Sequence, residues 1–125
     1  MNILFVCIEN SNRSQMAEGF AKHYGNESSY SSGSKPSGKV NPKAIAAMAE
    51  LSIDISNHQS IGLDKLPKLE WDWVITMGCG DACPHLPAKN RDDWELQDPR
   101  DLPPDQFNLV RDDIQARVKK LLNLN

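Results

Sequence analysis

The chain opens with a continuous apolar run, Ile3 to Cys7, directly after Asn2. A run without alternation suits a central parallel strand covered on both faces. Glu9 to Asn12 are polar and turn-like. Met16, Ala17, Phe20, Ala21 and Tyr24 then recur at helical spacing, one face of a helix that Gly25 can end. Ser28 to Ser32 reads as a short second strand, and Gly33 to Gly38 as a loop. Asn41-Pro42 has the form of an N-cap followed by proline at the first helical position. Ile45, Met48 and Ala49 line the helix that follows. A short extended piece is expected at Ile53–Ile55 and a helical turn near Leu63–Leu66. Trp73 to Met77 is a further buried strand, stopped by Gly78. Trp94-Glu95-Leu96 alternates weakly and reads as a short last strand. Phe107, Val110, Ile114, Val118, Leu121 and Leu122 form the stripe of a C-terminal helix, with Pro104 near its start.

Strands that alternate with helices imply right-handed crossovers and a parallel sheet covered on both faces. With 125 residues, the chain suits one domain with one core, spanning 1–125. No internal repeat, low-complexity tract or linker interrupts it. The formal net charge is −3, with acids and bases interspersed. No long basic run exists, which argues against nucleic acid as a partner. The apolar stretches are far too short to span a membrane. Met1-Asn2-Ile3 has neither the basic region nor the long apolar core of a signal peptide, so a cytoplasmic protein is expected, and separately a monomer.

Three cysteines, Cys7, Cys79 and Cys83, are an odd number. A secreted disulfide scaffold usually has an even number. In a reducing compartment thiols are more often catalytic, redox-active or metal-binding, although buried thiols also serve as small apolar residues. Cys7 ends the first strand, and Arg13-Ser14 begins the first helix. Ligands of open α/β sheets bind beyond the carboxyl ends of the strands. A loop of this length can turn its backbone N–H groups towards one point beside a positive helix N-terminus, a nest for an oxyanion. Arg13 adds a bidentate clamp on two anion oxygens. The same field stabilises a thiolate, and Ser14 can donate its hydroxyl hydrogen to that sulfur. The loop lacks the glycines and the Gly-Lys-Ser/Thr ending of a nucleotide P-loop. Cys-x5-Arg alone is a weak pattern; Cys-x5-Arg-Ser between a buried strand and an amphipathic helix is much stronger.

The stretch Cys7 to Gly19 resembles the anion loop and first helix of the low-molecular-weight tyrosine phosphatase superfamily, and within it the arsenate reductase branch. "VNPKAIAAM" (Val40–Met48), "IDISNHQS" (Ile53–Ser60), "TMGCGDACP" (Thr76–Pro84) and "DWELQDP" (Asp93–Pro99) carry the same resemblance, which covers nearly the whole chain. It implies a four-stranded parallel sheet flanked by helices on both faces. It also implies an anion site formed by Ile8, Glu9, Asn10, Ser11, Asn12, Arg13 and Ser14, with Cys7 as nucleophile. Asp98, held extended by Pro99, matches the general acid of the superfamily. By itself an Asp-Pro is usually a turn, and Asp92, Asp93 and Asp101 lie nearby.

Cys79 and Cys83 follow the strand that Gly78 stops, on the same edge of the sheet as Cys7. Two thiols four residues apart can bridge if they lie one helical turn apart. A phosphatase has no evident use for them, whereas a reductase does. The resemblance implies a relay in which Cys7 attacks arsenate, Cys79 attacks Cys7, and Cys83 attacks Cys79. The oxidised protein is then reduced by an external thiol. Thioredoxin is the expected partner, with glutathione and glutaredoxin or mycothiol and mycoredoxin as alternatives. No flavin, nicotinamide or haem site is evident, so no cofactor is expected. Cys79, Cys83 and His85 form a Cys-x3-Cys-x-His cluster, but a structural zinc site normally takes four ligands and no second pair is visible. His23 and His58 read as surface or loop residues. Some relatives bind potassium beside the loop; Asn10, Glu18 and Ser31 match part of that site, but Gln59 and Ile61 replace expected ligands, so no potassium dependence is expected. Arg100 follows Pro99 where phosphatases of the superfamily usually carry an aromatic residue. The expectation is therefore an arsenate reductase. Its rivals are a low-molecular-weight phosphatase and a non-catalytic thiol module that binds metalloids.

Overall fold

The computed structural model describes residues 1–78 and 86–124. Strand β1 (Ile3–Cys7) is buried along its whole length, as an apolar run with helix and loop cover on both sides must be. It pairs in parallel with β2 (Ser29–Gly33) on one side and β3 (Trp71–Thr76) on the other. A fourth strand, β4 (Ala88–Asp93), adds in parallel to β3, giving the order β2-β1-β3-β4. The register sets Cys7 opposite Gly33, and Val6 opposite both Ser32 and Thr76, so β1 ends in the middle of the sheet's carboxyl edge. That is the edge where an open parallel sheet binds ligands.

Helix α1 (Arg13–His23) follows β1 after a five-residue loop, Ile8–Asn12. Lys22 and His23 fall in its last turn, where positive charge suits the helix dipole. Helix α2 (Pro42–Ala49) starts as the sequence predicts. Asn41 caps it by accepting from the Lys43 amide at 2.9 Å, with Pro42 at the first position. Helix α3 (Pro104–Leu121) runs back along α1 and α2. Its buried Arg111 donates to the Ala47 carbonyl and to Glu50, both at 2.8 Å, joining α3 to the end of α2. Among the described residues, no helix is long and apolar enough to cross a membrane.

Period-2 alternation in the strands gives two cores. Ile3, Phe5, Cys7, Ile75 and Met77 face all three α-helices, meeting Met16, Phe20, Met48, Ile114 and Val118. Leu4, Val6, Trp71 and Val74 face the other way, against Tyr30, Leu66, Leu86 and Ala88. The helical cover is therefore unequal. All three α-helices share one face, and among the described residues the opposite face has only the 3-10 turn Leu63–Lys65 with Leu66 behind it. Ile53–Ile55 forms no strand, although both isoleucines are buried in the core under α1.

The last strand differs from the one read in the sequence. Trp94–Leu96 is not a strand; the chain pairs with β3 one step earlier, over Ala88–Asp93. Trp94 and Leu96 are buried because they lead off the end of β4 into the core beneath it. The true strand is exposed and charged, with Lys89, Arg91, Asp92 and Asp93. Backbone pairing, helped by exposed polar contacts such as Lys89–Asp72 and Asn90 to the Asp72 carbonyl, defines it without an apolar face, and charges on an edge strand oppose further strand addition.

Gly33 fixes how closely the loop after β1 lies on β2. A Cβ there would stand 2.5 Å from the Ile8 carbonyl oxygen and 3.0 Å from the Asn10 nitrogen, both backbone atoms. Gly33→Ala is therefore expected to lower unfolding free energy by about 1–3 kcal/mol, read from urea denaturation; an unchanged midpoint would contradict this packing.

Candidate active site

The loop Ile8–Asn12 is closed from inside by side chains. Asn10 adopts a left-handed conformation, φ +53°, which asparagine tolerates better than most residues. Its side-chain amide donates to Ser14 Oγ at 2.8 Å, and Ser14 Oγ lies 2.8 Å from Cys7 Sγ. Its Oδ1 accepts from the Ile61 amide at 2.9 Å and from Gln15 Nε2 at 3.0 Å. Gln15 also donates to the carbonyls of Asn10 and Gln59. Asn10, Ser14 and Gln15 are fully buried, so each polar group needs the partner it has. The loop's outer carbonyls are tied down as well. The Lys35 amide donates to the Ile8 carbonyl, and both the Ser37 amide and the Ser60 hydroxyl donate to the Glu9 carbonyl.

Arg13, 6% exposed, starts α1 and turns into the cleft. Its NH1 donates to the Leu96 carbonyl at 2.9 Å. Gly78, at φ +80°, forms the wall behind it: a Cβ there would come within 2.8 Å of Arg13 NH1 and 3.0 Å of the Leu96 carbonyl oxygen. The Leu96 carbonyl belongs to the same segment as Asp98, so one hydrogen bond couples the guanidinium to the acid-bearing segment. Cys7, Ile8, Glu9, Ser11, Asn12, Arg13, Asp98 and Arg100 line a cleft of about 100 Å³. Its floor, Cys7, Ser11, Asn12 and Arg13, is buried, whereas Glu9, Asp98 and Arg100 are its partly exposed rim.

The structure thus brings Cys7, Ile8, Glu9, Ser11, Asn12, Arg13 and Asp98 to one cleft, whereas Asn10 and Ser14, also expected at the anion, are fully buried behind it. Cys79 and Cys83, with His85, lie outside the described residues. Among the described residues, no group of three His, Cys, Asp or Glu side chains can hold a metal. Glu18, which the resemblance pairs with a cation, accepts from Ser31 Oγ at 2.6 Å and holds the Lys22 ammonium at 2.7 Å.

Two side chains behind the loop were not legible as site residues. Gln15 reads as an ordinary helix position, and His58 as a loop residue. The structure makes them a brace: His58 Nδ1 lies 3.0 Å from Gln15 Oε1. Since Gln15 Nε2 is the donor to its three other partners, His58 donates from Nδ1. Only the small polar run "SNHQS" could have pointed to it, through the chain reversal that aims Gln59 and Ile61 at Asn10.

A small parallel α/β sheet with a cysteine under an anion-sized loop at its carboxyl edge, and an arginine opening the next helix, defines a class of thiol-based oxyanion-binding proteins. The chain belongs to the low molecular weight phosphotyrosine protein phosphatase family, which it matches over residues 2–124. Arsenate reductase 2 of Staphylococcus haemolyticus is 44% identical over 122 residues, covering 94% of this chain and 92% of that protein. A solved arsenate reductase in the phosphate binding state superposes with TM-score 0.85 at 39% identity, over 97% of this chain and 95% of that one. The thioredoxin-dependent arsenate reductase of Corynebacterium glutamicum superposes with TM-score 0.76 at 31% identity, over 97% of this chain and 59% of that one.

Burial pulls the pKa of His58 below its usual value near 6.5; Glu18 and Asp54 oppose this and Lys22 adds to it. The unfolded chain therefore binds more protons than the folded one below that value, so folding stability is complete above about 6.5 and declines as pH falls through and below it. His58→Gln keeps a donor for Gln15 and removes the titration. It is expected to flatten the loss of stability on acidification relative to the unsubstituted chain, in urea midpoints taken from pH 8 to 5. Parallel curves would contradict the buried, neutral His58.

Proposed function

We propose that this protein reduces arsenate to arsenite, and that its relay runs through Cys7, Cys79 and Cys83. The observation that carries the reading is the cleft itself. At about 100 Å³ it is well below the roughly 300–1,000 Å³ of pockets that take organic ligands, and it suits one tetrahedral oxyanion. The arsenate reductases that resemble this chain over most of its length support the same substrate.

Cys7 thiolate attacks arsenic(V), forming an S–As bond. Arg13 and the loop N–H groups hold the remaining oxygens, and Ser14 donates to the sulfur before attack. Asp98 delivers a proton to the departing oxygen, which leaves as water. Cys79 thiolate then attacks the Cys7 sulfur. An S–S bond forms, the S–As bond breaks, and its electron pair stays on arsenic, which leaves as arsenite. Cys83 attacks Cys79, so Cys7 is released as thiolate and a Cys79–Cys83 disulfide remains. An external dithiol reduces that disulfide. Thioredoxin is the favoured donor, in keeping with the thioredoxin-dependent relative. The shared anion chemistry also predicts slow hydrolysis of small aryl phosphates, in keeping with the family.

Steady-state arsenite formation with thioredoxin, thioredoxin reductase and NADPH tests this reading. Cys7→Ser is expected to abolish it, Cys83→Ser to stop it after one turnover per chain, and Asp98→Asn to slow it by about 10²–10⁴-fold. Full turnover by Cys83→Ser would contradict the relay. Turnover that needs glutathione with glutaredoxin, or mycothiol with mycoredoxin, would reassign the reductant.

A further inference from the structure

The rim of the cleft carries two carboxylates, Glu9 and Asp98, and one guanidinium, Arg100. Arg100 is fixed from three directions. Its NH1 donates to both oxygens of Glu9, at 3.0 and 2.9 Å. Its backbone N–H donates to Asp98 Oδ1 at 3.0 Å. Its carbonyl accepts from Lys43 Nζ, near the start of α2, at 2.8 Å. The anion loop, the acid-bearing segment and α2 thus meet at one residue. The guanidinium also stands 4.0 Å from Asp98 Oδ2, outside hydrogen-bond range. Asp98, which lines the cleft, therefore has one oxygen engaged by Arg100 and the other outside hydrogen-bond range of it.

We propose that Arg100 is a specificity-determining strap across the mouth of the cleft, which admits bare tetrahedral oxyanions and excludes organic monoesters. The proposal rests on reading the cleft as an oxyanion site. Two physical effects support it. An ester of the same anion must pass its organic group out through the mouth, between Glu9 and Asp98, where the Arg100 side chain lies. A bare oxyanion has no such group. Glu9 without its partner would also place an unpaired carboxylate at the entrance and repel an approaching dianion. The Glu9–Arg100 pair removes that repulsion and sets a positive charge at the cleft. The strap binds no reacting atom, so Arg100 is a positioning and selecting residue.

The test uses p-nitrophenyl phosphate as the ester and inorganic phosphate as the bare anion, with Arg100→Ala and Arg100→Lys in the full chain. Arg100 is half exposed, so its removal leaves the core intact. For Arg100→Ala, kcat/KM for p-nitrophenyl phosphate is expected to rise by about threefold or more, while the inhibition constant of inorganic phosphate weakens by about threefold, in line with the loss of a rim charge. Arg100→Lys, which keeps charge but not the fork, is expected to fall between. The two effects run in opposite directions, which a merely structural role would not produce. Loss of ester hydrolysis together with weaker phosphate inhibition, neither value moving, or no gain of ester hydrolysis would overturn the strap. Arsenite formation by the unsubstituted chain, measured in parallel, tests the arsenate reading by itself. Its failure would leave the phosphate and ester comparison able to support or refute the strap.

Discussion

Asn10 donates to Ser14, and Ser14 touches the sulfur of Cys7; the shape of the whole anion loop depends on that chain of contacts. Backbone N–H groups can converge on a point only if the loop curls tightly, and the curl passes through a left-handed residue. Asparagine accepts that conformation at lower cost than other non-glycine residues and fills the interior of the turn with its own amide. Because the network is buried, no water can replace a missing member. Each partner lost leaves a donor or acceptor orphaned, at a cost of about 1–3 kcal/mol. Gln15 and His58 belong to the same unit: Gln15 reaches Asn10 from α1, and His58 holds Gln15 from the segment before the 3-10 turn. The chemistry of one sulfur is thereby held by residues from two separate stretches of chain, 7–15 and 58–61.

The sheet supplies the other constraint. Ending β1 between β2 and β3 puts Cys7 at the middle of the carboxyl edge, and Gly33 lets the loop lie directly on β2. On the far side, the chain leaves β4 through Trp94 and Leu96, which anchor in the core and carry Asp98 back towards the loop. The Arg13 contact with the Leu96 carbonyl links the two sides. The cleft is assembled from the middle and one end of the sheet edge, and its size of about 100 Å³ is below that of pockets that take organic ligands.

Much of this was legible in the sequence for an identifiable reason. β1, α1 and the Cys7–Ser14 loop are local features, where apolar run, polar turn and helical stripe follow one another within 24 residues. Asn41-Pro42 marked α2 through capping chemistry, which is local as well. β4 was misread because its pairing is carried by backbone atoms, while Trp94 and Leu96 advertise burial without strand geometry. Gln15, His58 and Gly33 act through contacts distant in sequence, and no spacing rule encodes them. Asp98 is legible as a site residue only through family resemblance, since an Asp-Pro alone says turn. Cys79 and Cys83 were singled out by residue type and spacing, and their part in the reaction is a matter for chemistry in solution.

In the proposed relay, the thiol at the loop takes arsenic while two others supply the electrons. The most direct measurement is stoichiometric: reduce the protein fully, remove the reductant, add arsenate, quench, and map every cysteine by mass spectrometry alongside released arsenite. The account predicts a Cys79–Cys83 disulfide, free Cys7, and about one arsenite per chain. Three free thiols, no arsenite and no arsenic on Cys7 would contradict it.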